Sequence, residues 1–182
     1  MTPRPDVDQL LDAAEELFYE RGYQSVGMDA LRAASDLPLK RIYSLFKGKN
    51  AVAVAMLDRR DERWHISLAE RVGRETQPES RVLAIFDWLS GWLAGEGHRG
   101  CAWINAFGEL GGTSPDVAEA VRRHKTRLRT YVNDVVTEAG ASQAVADGIF
   151  LLIEGCMVTA GISGNADAAA QAKDAACRLL RA

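Results

Sequence analysis

Apolar side chains recur at three- and four-residue steps along most of the sequence, and this spacing limits the fold more than any other feature. In residues 8–20, after Asp6 or Asp8 as the expected cap, one apolar face is formed by Leu10, Ala13, Ala14, Leu17 and Phe18. The sequence shows neither the two-residue alternation of a half-buried strand nor an internal repeat. It therefore predicts an all-α protein of about nine helices.

Glycine, proline and capping residues indicate where the predicted helices begin and end. Gly22 ends the first helix, Ser35-Asp36 forms a tight turn after the second, and Pro38 lies in the first turn of the third. Further N-caps are expected at Ser114 and Ser142. The predicted helices cover residues 8–20, 28–34, 39–46, 50–74, 79–94, 101–110, 115–139, 143–161 and 166–181.

Charge is distributed unevenly in the N-terminal third of the chain, although the net charge of the whole is only −3. Residues 1–35 contain three Arg against seven Asp and Glu. Residues 36–60 contain two Asp against six basic residues, which are Lys40, Arg41, Lys47, Lys49, Arg59 and Arg60. A local basic patch on a mildly acidic protein is typical of a phosphate-binding surface.

The basic patch coincides with two short predicted helices joined by a turn. The apolar residues expected to pack these helices on the first one are Val26, Leu31, Ala34, Leu37, Ile42 and Phe46. Since Ile42 and Phe46 are one turn apart and face inward, the outer and flanking faces are left to Leu39, Lys40, Arg41 and Ser44. A short exposed helix with basic and small polar residues fits the DNA major groove, and Lys47 and Lys49 follow it at the phosphate backbone.

The segment from residue 22 to residue 50 resembles the TetR family of transcriptional regulators. The similarity rests on residues 22–23, 28–31 and 37–50, above all on Ile42-Tyr43-Ser44-Leu45-Phe46 with Lys47 and Lys49 close behind. The resemblance implies that Tyr43 and Lys49 contact operator phosphates, while Leu39, Lys40, Arg41 and Ser44 face bases or nearby phosphates. Gly27 replaces the Ser or Thr common in the family, so its backbone N–H is the expected phosphate donor.

The same resemblance implies a division into two domains and a mode of action. Residues 1–50 are expected to form the helix-turn-helix DNA-binding domain, and residues 51–182 a helical ligand-binding and dimerisation domain. The expected partners are double-stranded operator DNA, a small-molecule effector and a second copy of the chain. The alternative is a helical protein-interaction module that has lost DNA binding.

Aromatic side chains are concentrated in the fifth and sixth predicted helices, where the family resemblance places an effector pocket. The candidate ligand-binding residues are Trp88, Trp92, Trp103, Asn105, Phe107 and Glu109. Aromatic residues at helical spacing also form ordinary cores, and backbone or water also satisfies buried polar groups. An aromatic-rich pocket favours a hydrophobic or aromatic effector.

The last two predicted helices are rich in small and apolar residues. Residues 142–161 include Ile149, Leu152, Ile153 and Met157, and the final helix contains seven Ala from Ala166 onward. Such faces favour a four-helix interface between two subunits, the alternative being a bundle within one chain.

Other classes of protein find little support in the sequence. Cys101, Cys156 and Cys177 suggest neither disulfides nor a zinc site, although Cys101 next to a helix N-terminus is a possible sensor of oxidants or electrophiles, or simply a small buried residue. The three His are scattered without metal-ligand spacing, and no phosphate loop or nucleophile elbow is visible. No apolar run approaches a membrane span. We therefore expect a cytoplasmic, cofactor-free, non-enzymatic protein.

Overall fold

The computed structural model describes residues 5–165 and 167–181, whose regular structure consists of nine α-helices. In chain order these are α1 (Asp6–Arg21), α2 (Met28–Ser35), α3 (Leu39–Leu45), α4 (Lys49–Val72), α5 (Pro78–Ala94), α6 (Ala102–Leu110), α7 (Pro115–Glu138), α8 (Gln143–Ser163) and α9 (Asp167–Leu180). The all-α prediction is confirmed. Ala166, the expected start of the last helix, and the two ends of the predicted domains at residues 1 and 182 lie outside the described residues.

Several helix ends differ from the sequence prediction for reasons visible in the backbone. Helix α1 begins at Asp6 with Pro5 in the cap position, so Asp6 and Asp8 lie in the first turn instead of capping it. Pro38 precedes α3 because its ψ of 139° is extended, although its φ of −59° suits a helix. Phe46 is likewise extended, with φ −138°, and lies just beyond α3. Helix α8 passes Gly161 and ends at the left-handed Gly164.

The first of two compact units comprises the chain up to Glu62 together with Ala102–Arg123. Its core is built on α1, where Leu10, Ala14 and Phe18 are buried, and the ring of Tyr23 stacks on Phe18 with the centroids 5.0 Å apart. Helix α2 packs on α1 and α3 packs on α2. Full burial of a large apolar side chain contributes about 1.5–3 kcal/mol, so these contacts hold the short α2 and α3 in place.

Two packing expectations for the first unit were wrong. Ala34 is exposed, and Ser35 takes the inward position, where its hydroxyl donates to the Leu31 carbonyl oxygen at 2.6 Å. Phe46 is only half-buried, since α3 has already ended before it.

The second unit comprises Arg63–Cys101 together with the chain from His124 onward. Helix α8 packs against α9, and α5 packs against both. The side of α9 that is buried within the subunit is formed by small residues, which are Ala168, Ala169, Ala172 and Ala176. Four of the six alanines of α9 therefore pack in the bundle within the chain.

Helix α8 corrects the expectation that no apolar run is long enough to cross a membrane. By length and composition alone it qualifies, as the core helix of many soluble proteins also does. It carries Asp147 and Glu154, which form ion pairs with Arg129 at 2.6 Å and Lys125 at 2.7 Å. Both partners lie on α7 of the same unit, and such ion pairs indicate that α8 packs against protein.

Candidate nucleic-acid interface

The connection between α2 and α3 is a tight turn with one left-handed residue. Asp36 has φ 53° and ψ 24°, a conformation that Asp tolerates better than most side chains, so the predicted turn is confirmed. The neighbouring Leu37 is buried, together with Leu31 on α2 and Ile42 on α3. These three side chains anchor the helix pair from the inside and leave its outer face free.

The outer face of α3 carries the residues that the sequence assigned to DNA. Lys40, Arg41, Tyr43 and Ser44 are exposed, with Tyr43 at 50%, and Leu39 is half-buried. The Ser44 hydroxyl donates to the Arg41 carbonyl oxygen at 2.7 Å. Beyond the helix, Lys47 is exposed. Gly27 is exposed as well, so the structure places six of the eight candidates on an accessible surface and Leu39 partly on it.

Arg41 is held by a carboxylate from the start of α1. Its Nε donates to Asp6 Oδ2 at 2.5 Å, and both side chains are more than one-third exposed. An exposed ion pair of this kind contributes at most about 1 kcal/mol, so a phosphate or a base can compete for the guanidinium.

Lys49 and Gly27 lie beside the loop that joins α1 to α2. The Lys49 ammonium donates to the Tyr23 carbonyl oxygen at 2.8 Å and is half-buried, so in this state it fixes the loop. Gly27 occupies the N-cap of α2 with φ −98° and no side-chain cap. The first N–H groups of α2 are thus available to an anion.

Arg59 and Arg60, counted in the basic patch from the sequence, are a correction. They face α1, where Arg59 binds Asp12 at 2.8 Å and Arg60 binds Glu15 at 2.7 Å. Arg60 also lies over the ring of Tyr19, 4.7 Å from its centroid. Arg59 and Arg60 therefore link α4 to α1 through ion pairs and do not contribute to the exposed basic surface.

The six candidate ligand-binding residues divide between the two units. Trp88 and Trp92 belong to the second unit, where their rings stack 5.8 Å apart and the Trp88 Nε1 donates to the Ser67 hydroxyl at 2.9 Å. The other four are on α6 of the first unit, where Trp103 is buried, Asn105 half-buried, Phe107 49% exposed, and Glu109 hydrogen-bonded to the loop before α2.

The second unit also contains aromatic residues that the sequence did not single out. The Trp64 ring meets Trp88 edge to face at 4.7 Å and His124 at 5.4 Å. His65 and His124 lie 5.6 Å apart, which corrects the view that the His are scattered. The sequence did not predict this contact because His65 and His124 are far apart along the chain. The adjacent aromatic residues Trp64 and His65 on the long helix α4 are a signal for an aromatic core.

A half-buried charged pair in the second unit was also missed. The Lys125 ammonium contacts Glu154 at 2.7 Å and lies 3.4 Å from the sulfur of Cys101. Burial alone lowers the pKa of Lys125, but attraction to Cys101 and Glu154 outweighs it, so the pKa is raised above 10.5. Nothing in the sequence pairs these residues, since they come from α7, α8 and the loop before α6.

Helix α8 keeps a row of apolar side chains on its outer side. Leu151 is 64% exposed, Val158 39% and Ile162 83%, and the seven- and four-residue spacings put them on one face. Gly155, exposed between them, adds no side chain. We call these four residues the α8 stripe. An apolar row of this kind on a described surface is unusual for an isolated chain.

Family models match two parts of the chain. Residues 10–56 match the model described as bacterial regulatory proteins, tetR family, and residues 78–178 match the tetracyclin repressor-like C-terminal domain. The HTH-type transcriptional repressor NemR of Escherichia coli K12 is 28% identical over 63% of this chain. The repressor ComR of the same organism is 28% identical over 69%. The chain spans 58% of NemR and 61% of ComR.

Solved structures share the fold over nearly the whole chain. SCO4454, a TetR-family transcriptional regulator from Streptomyces coelicolor, superposes with a TM-score of 0.88 at 24% identity, covering 98% of this chain and 90% of its own. The reduced form of NemR from E. coli gives 0.84 at 21% identity, covering 96% and 97%.

Proposed function

Because this chain belongs to the TetR family of bacterial transcriptional regulators, we propose that it is a repressor that binds a palindromic operator as a homodimer and is released by a small hydrophobic or aromatic effector. It works in the cytoplasm and has no enzymatic activity.

The observation that carries this proposal is the exposed polar face of α3. Seven residues long, α3 is anchored by buried Ile42 and offers Lys40, Tyr43 and Ser44 outward. A helix of this size enters the major groove, where a basic side chain reads guanine and a tyrosine hydroxyl binds phosphate. The uncapped N-terminus of α2 at Gly27 adds backbone donors for a further phosphate.

The α8 stripe supports a dimer. Covering Leu151, Val158 and Ile162 with the same residues of a second copy removes them from water. A two-fold axis through such a self-complementary face makes an isologous dimer, and two α3 helices then meet two half-sites of a palindrome about one helical turn apart.

The aromatic cluster around Trp64 supports an effector site in the second unit. Trp88 is half-buried beside the buried Trp64 and Trp92, so part of one indole is accessible to a ligand. Helix α4 carries Lys49 at its first residue and Trp64 farther along, and thus contributes to both units. We propose that effector binding displaces α4 and couples to DNA binding by about 1–3 kcal/mol.

Selection from a library of random duplexes at fixed salt tests this function. The repressor predicts enrichment of a palindrome with half-sites about 10–10.5 base pairs apart. The selected duplex then serves as the probe for an effector screen, in which release of DNA is the expected response. Absence of enrichment at a protein concentration where the chain is dimeric would overturn the proposal and favour the protein-interaction module.

A further inference from the structure

The loop between α1 and α2 is bound to α6 by two hydrogen bonds within the first unit. The backbone N–H of Gln24 donates to Glu109 Oε2 at 2.8 Å, and the Gln24 side-chain amide donates to the Glu109 carbonyl oxygen at 2.8 Å. The two residues are 85 positions apart in sequence. Glu109 on α6 therefore accepts two hydrogen bonds from Gln24 in the loop.

The fit around the Glu109 carboxylate is close. Gly22 has φ +84°, and a Cβ on it would lie 3.0 Å from each carboxylate oxygen. Tyr23 lies between Gly22 and Gln24 in the chain. Its hydroxyl donates at 3.3 Å to the carbonyl oxygen of Ala102, the first residue of α6. The loop thus contacts the first and last turns of α6, and a side chain at residue 22 would force the Glu109 carboxylate to shift.

The same loop reaches the residues assigned to DNA phosphates. The Lys49 ammonium donates to the Tyr23 carbonyl oxygen at 2.8 Å and lies 3.5 Å from that of Gln24. Three residues beyond Gln24, Gly27 begins α2. The Glu109 carboxylate is therefore one hydrogen bond from the peptide that Lys49 binds, and a short segment from the N-terminus of α2.

We propose that Glu109 is a positioning residue for DNA binding, and that its carboxylate fixes the α1–α2 loop so that Lys49 and the N-terminus of α2 are placed for phosphate. This inference rests on the proposed operator binding. It gives Glu109 a role different from contact with an effector. A conformational change that moves α6 away from Gln24 would then lower the affinity for DNA.

The sign of the effect separates positioning from simple electrostatics. Removing a carboxylate from a DNA-binding protein strengthens its attraction to phosphate. Positioning predicts the reverse, because the freed loop no longer holds Lys49 and α2 in place. The hydrogen bond to the Glu109 carboxylate is exposed, so its loss should lower the affinity for DNA by about tenfold.

The test compares variants of the full chain on the selected duplex at one salt concentration. Glu109→Ala removes the acceptor, whereas Glu109→Gln keeps an acceptor oxygen and removes the charge. Glu119→Ala removes the same charge from α7 of the same unit, where Glu119 pairs with Arg122 at 3.1 Å and is 56% exposed. Exchange of the Gln24 amide hydrogen and the midpoint of thermal unfolding are recorded for each variant.

We expect Glu109→Ala to weaken binding about tenfold and to speed exchange of the Gln24 amide. Glu109→Gln should stay within about twofold of wild type, and Glu119→Ala should bind equally well or more tightly. If Glu109→Ala unfolds, Gln24→Ala in the exposed loop removes only the side-chain bond and should weaken binding by a smaller factor.

Two failures remain distinguishable. If the wild-type chain selects no duplex, the proposed function is overturned and this inference with it. If the wild-type chain binds and both Glu109→Ala and Gln24→Ala bind as tightly as wild type or more tightly, only the positioning role is overturned.

Discussion

Gly100 and Gly161 touch backbone to backbone. A Cβ on Gly161 would lie 2.9 Å from the Gly100 Cα, and a Cβ on Gly100 would lie 2.8 Å from the Met157 carbonyl oxygen. Gly100 also has φ +76°, which is strained for any other residue. The turn before α6 is thus seated on α8 with no side chain between them.

Gly100→Ala should therefore destabilise the fold by about 2–4 kcal/mol, because left-handed strain and a backbone clash add together. Urea unfolding measures the loss. Gly91→Ala is the control in the same unit, since Gly91 lies within α5 and has nothing within 4 Å of an added Cβ. The control should gain about 0.5–1 kcal/mol, and an equal loss in both variants would contradict the packing argument.

Lys125→Met should cost about 1–3 kcal/mol at neutral pH, because it leaves the half-buried Glu154 carboxylate without its cation. The Lys125 pKa in the folded chain is raised above the reference of 10.5. The stability that the ammonium supplies is therefore complete below that reference pH and is lost as pH rises through the folded pKa. As pH rises from neutral, the gap between wild type and variant in unfolding free energy should shrink only at strongly alkaline pH.

The double variant Lys125→Met with Glu154→Leu should recover most of that loss, since no charge is then left buried. A gap that closes as pH rises from about 7 to 9 would contradict the assignment of the effect to Lys125.

Ile162→Glu or Leu151→Glu should convert the dimer to monomer at micromolar concentration, because each would bury charges in the proposed interface. Sedimentation velocity reports the oligomeric state. Ile66→Glu is the matched control, since Ile66 is 55% exposed on α4 and lies outside the α8 stripe. Dissociation by all three variants, or by none, argues against the stripe as the interface.

Lys40→Ala should weaken binding to the selected operator, and the slope of log K against log salt should fall in magnitude by about 0.9 if the ammonium contacts a phosphate. Arg122→Ala removes an exposed cation from α7 of the same unit and serves as control. An unchanged slope with lower affinity for one base pair would instead assign Lys40 to base reading.

Local chemistry was predictable from the sequence and long-range pairing was not. The left-handed Asp36 and the Ser142 cap, which accepts the Val145 N–H at 3.4 Å, follow from neighbouring residues, so the pattern indicates them correctly. Arg60 looked like a surface cation in the same way as Lys40. Only the arrangement of α4 on α1 directs it to Glu15, and no local pattern carries that information.

In the candidate site, too, local features were predictable from the sequence and long-range contacts were not. The outward face of α3 follows from helical periodicity once Ile42 is known to be inside. The loop contacts of Glu109 and Lys49 depend on helices far apart in sequence, so the sequence offered Glu109 only as a candidate ligand-binding residue. His65 and His124 became neighbours for the same reason.

The ion pair between Arg41 and Asp6 affects the number of ions that a salt titration of DNA binding reports. A cation that moves from water to DNA frees one condensed counterion from the duplex. If Arg41 contacts the operator as proposed, it leaves the carboxylate of Asp6 behind, and Asp6 should then gather a cation from solution. Release on one side and uptake on the other offset each other, so the number of ions exchanged on operator binding falls below the number of basic side chains that reach the DNA.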